Sequence, residues 1–146
     1  MKIEQLSLFL ENRPGHLSGV CRTLAEAGID ILTLSLADTQ QFGILRLIVR
    51  DWRRAQTVLT EAGSVVKITE LVAIEVEDKP GGLARILEAI EAGGINVEYM
   101  YAFSVRSGEK AVLCFRFDDP DAAIGCLQSA DISVLNSVEL YERAES

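Results

Sequence analysis

The chain is written twice. Asn12-Arg13-Pro14-Gly15-His16-Leu17 recurs 66 positions later as Asp78-Lys79-Pro80-Gly81-Gly82-Leu83. At the same offset Val20 meets Ile86, Leu24 meets Ile90, and Gly28-Ile29-Asp30-Ile31 meets Gly94-Ile95-Asn96-Val97. Further on the offset grows to 68, so that Leu45, Leu47 and Val49 meet Leu113, Phe115 and Phe117. The two additional residues fall near Ser107-Gly108-Glu109, where a hairpin loop absorbs them at little entropic cost. A repeat on this scale constrains the fold more than any other feature, because each copy must be one supersecondary unit and both must reach the same one.

Each copy opens with period-two alternation, Leu6, Leu8 and Leu10 in the first and Val72, Ile74 and Val76 in the second. That is the pattern of a half-buried strand. After the Pro-Gly turn, Leu17, Val20, Cys21 and Leu24 take the i, i+3, i+4, i+7 spacing of a helix, matched by Leu83, Ile86, Leu87 and Ile90. Gly28 and Gly94 stand where a helix ends on a left-handed residue. Two hairpins follow, over 31–37 with 42–49 and over 97–105 with 111–117. Second helices start near Asp51 and Asp119-Pro120. Closing strands are predicted over 65–68 and over 133–141.

The order is βαββαβ, twice. This predicts an α+β chain of two tandem ferredoxin-like modules, each an antiparallel sheet with helices on one face. The modules are expected at 1–69 and 70–146. No Pro, Gly or Ser-rich linker separates Val65 from Val72, so they are expected to be rigidly fixed. At 146 residues, each half buries less of its surface than one larger domain would, and the halves need each other or a second chain.

A net charge of −8 speaks against nucleic acid, whose phosphates call for a basic face. The short cluster of Arg50, Arg53 and Arg54 around Trp52 reads as a solvated helix start. Neither a secretory signal nor an apolar run of spanning length is expected, which points to the cytoplasm and away from a membrane. Cys21, Cys114 and Cys126 have neither the number nor the spacing of a disulfide framework or zinc site.

Catalysis is poorly supplied. His16 is the single histidine, so neither a histidine metal cluster nor a Ser-His-Asp arrangement is expected, and no catalytic residue, metal or cofactor is assigned. An acyl-phosphate hydrolase of this fold would need an arginine in a phosphate-cradling loop. Arg13 stands in the right turn, but Lys79 replaces it in the second copy and no glycine-rich cradle follows. Glu75 and Glu77 read as a solvated strand face.

Binding is better supplied. Each Pro-Gly turn presents backbone amides at a helix start, where amides and the helix dipole attract a carboxylate. Gly15, Gly81 and Gly82 let a ligand approach the backbone. The start of the second strand is expected at the same end of the sheet as the turn, bringing Asn12 near Asp30 and Asp78 near Asn96. A carboxylate and a carboxamide there would suit the ammonium group of a free amino acid. The plainer reading makes Asn12 and Asp78 helix caps and Asp30 and Asn96 turn formers. His16 reads as an exposed first-turn residue or a ligand contact. Tyr99, Tyr101 and Phe103 share one face, either as packing or as an aromatic wall.

The first strand, Glu11-Asn12-Arg13-Pro14-Gly15-His16-Leu17 and Gly28-Ile29-Asp30-Ile31 together resemble an ACT domain, the regulatory module of amino-acid biosynthetic enzymes. Asp78 to Leu83 with Gly94 to Val97 resembles a second one. Phe42-Gly43-Ile44-Leu45-Arg46 and Glu98 to Phe103 look like the proteins built of two ACT domains alone. The resemblance covers the whole chain. It implies a non-enzymatic sensor binding a free amino acid at module or subunit interfaces, acting as a homodimer or higher homo-oligomer on a metabolic enzyme or regulator. The alternative is a ligand-independent module that docks such an enzyme. The implied ligand-binding residues are Asn12, Pro14, Gly15, His16, Leu17, Asp30 and Ile31, with Asp78, Gly81, Gly82, Leu83, Asn96 and Val97. In serine-regulated dehydrogenases of the family, asparagines in the first turn and at the start of strand two hold the effector. Asn12 and Asn96 match them; Asp78 and Asp30 depart. Leu10 and Val76 replace a histidine of those enzymes, which implies a more apolar side-chain pocket.

Overall fold

A computed structural model describes residues 1–39, 41–107 and 110–145. The expected loop residues Gly108 and Glu109 lie outside these. The chain divides into two compact units, Glu4–Thr69 in one and Met1–Ile3 with the chain from Glu70 onward in the other. Lys2 lies with the second unit, where its ammonium meets Glu70 and Asp121 at 3.5 and 3.2 Å.

The first module runs β1 (Ile3–Glu11), α1 (His16–Glu26), β2 (Thr33–Thr39), β3 (Phe42–Ile48), α2 (Trp52–Glu61) and the start of β4 (Val66–Glu77). Its strands are ordered β2-β3-β1-β4. Leu8 lies opposite Leu45, which lies opposite Leu36, so the alternating leucines share the helix-facing side. Leu6, Leu8, Leu24, Leu45, Leu47 and Leu59 are fully or almost fully buried together, with Trp52 packed at their edge.

The second module continues along β4 into α3 (Gly82–Ala92), β5 (Val97–Ser107), β6 (Lys110–Phe117), α4 (Pro120–Ser129), β7 (Val134–Leu135) and α5 (Ser137–Glu145). Its strand order, β5-β6-β4-β7, repeats that of the first. Val72, Ile74, Ile86, Ile90, Phe115 and Phe117 form its core, with the two phenylalanine rings stacked at 5.3 Å. Both modules therefore have the ferredoxin-like α+β fold. Cys114 is buried in β6, and burial pushes its thiol up to about 12.

Local chemistry explains the boundaries. Asp51 and Asp119 cap α2 and α4, accepting the N–H groups of Arg54 and Ala122 at 3.3 and 3.1 Å. Gly28 and Gly94 take φ of 70° and 68° just past α1 and α3, as the sequence predicts. The apolar stripes are narrower than their spacing implies: Val20, Leu24, Ile86 and Ile90 are buried, whereas Leu17, Leu83 and Leu87 stay partly exposed.

The predicted closing strand over 133–141 is corrected. Only Val134 and Leu135 pair with β4, and the chain turns into α5. Asn136 and Glu139 form a reciprocal capping box: Glu139 N–H donates to Asn136 Oδ1 at 2.9 Å, and Asn136 N–H donates to Glu139 Oε1 at 3.1 Å. That start signal overrides the short Val-Leu alternation. Leu140 is fully buried, and Arg143 reaches Glu75 on β4, its Nε donating to Oε2 at 2.7 Å.

Candidate functional site

The turn between β1 and α1 is shaped by its own backbone. Asn12 N–H donates to Gln41 O at 2.9 Å and Arg13 N–H to Glu11 O at 2.8 Å. Gly15 then takes φ +88°, a left-handed value that favours glycine, and α1 starts with no side chain capping its amides. This corrects the reading of Asn12 as the helix cap, because the cap position is Gly15 and the helix begins four residues after Asn12. His16 N–H donates to the Arg13 carbonyl at 3.4 Å, and no side chain caps the rest of the first turn of α1, the arrangement that can receive a carboxylate.

Beside this turn lies a cavity of about 540 Å³, within the range of small-molecule sites. Asn12, Arg13, Pro14, Gly15 and Ser18 form its polar side; Leu10, Leu17, Leu36 and Gly43 form its apolar side. The charges at its rim are matched, Arg13 Nε meeting Glu11 Oε2 at 2.5 Å. His16 is turned elsewhere. Its Nδ1 accepts the Glu11 N–H at 2.6 Å, and its ring lines a separate cavity with Phe9, Phe42 and Val65.

The turn of the second module repeats the backbone with different chemistry. Gly81 also has φ +88° and α3 is also uncapped by any side chain. This corrects Asp78 as a cap in the same way. Gly82, at the place of His16, approaches the strand end so closely that a Cβ there would lie 2.5 Å from Glu77 O. The neighbouring cavity, about 480 Å³, is lined by Glu75, Glu77, Lys79, Arg85, Lys110 and Asp131. Arg143 and then Lys110 hold the Glu75 carboxyl below its ordinary value, against the opposing effect of burial.

The expected partnership of Asn12 with Asp30, and of Asp78 with Asn96, does not occur within a module. Thr33 lies opposite Ile48, one step beyond the Leu6–Leu47 pair, so β2 begins level with the start of β1. Asn12 follows the far end of β1, about 20 Å away at ~3.3 Å per strand residue. Likewise Val97 pairs with Phe117, beyond the Val72–Phe115 pair, at the opposite end of β4 from Asp78. The helix carries the chain back along the sheet before the second strand starts, a return that the sequence reading overlooked. Ile31 and Val97 pack against their module cores, and Asn96 is tied by its backbone to Asp118. Leu83 is partly exposed on α3. Leu36, Gly43 and Ser18 were missed by the sequence reading. Leu36 was visible as the partner of Leu34 in alternation, but nothing local says which face that edge strand shares with the turn.

Tyr99, Tyr101 and Phe103 do share a face, opposite Arg116, Cys114 and Val112; Phe103 is buried and the tyrosines are half-buried. Among the described residues no group of three or more His, Cys, Asp or Glu side chains is placed to hold a metal ion, and no helix is long and apolar enough to cross a membrane.

The profile of one family, the ACT domain pair, matches residues 1–143. The crystal structure of protein BT0572 from Bacteroides thetaiotaomicron superposes with a TM-score of 0.90 at 36% identity, covering 97% of this chain and 96% of that one. The regulatory subunits of aspartate kinase from Thermus thermophilus and Thermus flavus share the fold. Their TM-scores are 0.60 and 0.56 at 19% and 18% identity, over 87% and 88% of this chain and 91% and 92% of theirs. No curated protein matches the chain.

Proposed function

Because the chain belongs to the ACT domain pair family, we propose that it is a regulatory protein that senses a free amino acid at the turn of its first module. One observation carries the reading: the uncapped start of α1, freed by Gly15, opens beside the half-apolar cavity lined by Asn12, Leu17 and Leu36. The amides of α1 receive the carboxylate, and the Asn12 side chain accepts from the ammonium. Asp30 and Asn96, at the far ends of their own modules, take no part in this reading within a module. The output passes to a metabolic enzyme or regulator in the cytoplasm, with the protein working as a homodimer or larger assembly and catalysing nothing itself.

The test is a thermal-shift screen against the twenty amino acids. A ligand at about 100 times its dissociation constant adds roughly 2.7 kcal/mol to the folded state. That raises the midpoint by several degrees. A shift with one amino acid or a few of the same chemistry supports the sensor. No shift with any of them refutes it in favour of a ligand-independent docking module.

A further inference from the structure

We infer that the first-module cavity selects an aliphatic amino acid of the leucine, isoleucine and valine class. Leu10, Leu17 and Leu36 read the side chain, and Gly43 sets its size. The inference rests on the amino-acid reading above and adds the ligand class to it.

Three observations converge. Leu10 is almost wholly buried at the cavity, but Leu17 and Leu36 leave 37% and 48% of their surface open to water. Large apolar side chains meeting at one concave place gain most from an apolar guest. The polar groups nearby are committed to one another. Glu11 and Arg13 neutralise each other at the rim, and Ser18 Oγ donates to Gly15 O at 3.2 Å. A charged side chain would therefore lose water there without meeting an unmatched opposite charge. Finally, Gly43 is buried in β3 opposite Leu10, and a Cβ added to it would lie 3.2 Å from Leu36 Cδ1. Glycine there lets Leu36 lie down against the strand; any larger residue would tilt it a few tenths of an ångström into the cavity. The cavity beside the second turn sets Val76, Ile86 and Ile132 among six charged side chains, so its wall is of mixed chemistry.

The test is calorimetric titration of the full chain with leucine, isoleucine, valine, alanine, serine, aspartate and lysine in turn. Each buried methylene is worth about fourfold in affinity. With a wall half open to water, leucine should bind about tenfold more tightly than alanine. Leu36→Ser, at an exposed edge position that folding tolerates, should remove most of that preference. Gly43→Ala should weaken leucine more than alanine. Tightest binding of serine, aspartate or lysine would overturn the aliphatic assignment and leave the sensor standing. So would an unchanged preference in Leu36→Ser. Absence of binding by all seven in the titration and all twenty in the thermal screen would overturn both.

Discussion

Position 9 of the first module and position 75 of the second occupy the same place in the repeat, and each holds the residue that burial alone would give to the other. Phe9 is 69% exposed, whereas the Glu75 side chain is only 9% exposed. The difference follows from what comes after the last strand. In the second module α5 brings Arg143 to Glu75, and the carboxylate can be buried because a guanidinium and the Lys110 ammonium come with it. Phe9 lines a concave surface with His16, Phe42 and Val65. The two turns diverge in the same spirit, from one backbone to an apolar-walled cavity in one module and a charged one in the other. Duplication preserved the scaffold, and the copies parted in the side chains that face outward from it.

The comparison can be broken at several points. Leu140→Ala should remove about 3 kcal/mol, as expected for a fully buried leucine, and loosen α5. Urea unfolding followed by circular dichroism measures it, and a loss below about 1 kcal/mol would show that α5 contributes little to the second module. Exchange of the turn residues comes next. Gly82→His forces a Cβ against Glu77 O and Val76 and should lose about 2 kcal/mol by overpacking. His16→Gly gives up one exposed hydrogen bond and some helix propensity, about 1 kcal/mol. Equal losses would mean that the turns are interchangeable. Asp51→Ala and Asp119→Ala remove matching caps and should each lose about 1 kcal/mol, the effect in which the modules agree.

The smallest effect is the pH dependence of the Glu75 latch. Its folded value is lowered, so its contribution is complete above the ordinary value of 4.5 and is lost as pH falls through the lowered one. Arg143→Met removes the largest cause of that shift. The variant should be less stable than the parent at pH 7 and should lose less on acidification, and urea midpoints at the two ends of that range give the comparison.

The repeat made the module order, the left-handed ends at Gly28 and Gly94, and the shared face of Tyr99, Tyr101 and Phe103 legible from residues alone. It also placed both Pro-Gly turns at helix starts. It misled at the carboxyl end, where Val134, Leu135, Val138 and Leu140 fit a strand almost as well as a helix. The capping pair Asn136 and Glu139 was the deciding signal and was there to be read. Pairing Asn12 with Asp30 failed for another reason. Adjacency across a module depends on which end of the sheet a helix returns to, and the split βαβ order already sets that: β1 and β2 run parallel on either side of β3, so the second strand starts where the first one did, far from the turn. Leu36 on the edge strand β2 and Gly43 on β3 stayed hidden because only strand pairing brings them to the turn.

The placement of Cys114 in β6 has a consequence for kinetics. With burial pushing its thiol up to about 12, Cys114 carries almost none of the reactive thiolate near neutral pH, and its sulfur is shut inside the sheet. Alkylating reagents should modify Cys21 and Cys126, which are only partly buried, well ahead of it. Modification of Cys114 then waits for the second module to open, so its rate is a native clock for that opening. If an effector bound to the first module slows that clock, the message has crossed the chain.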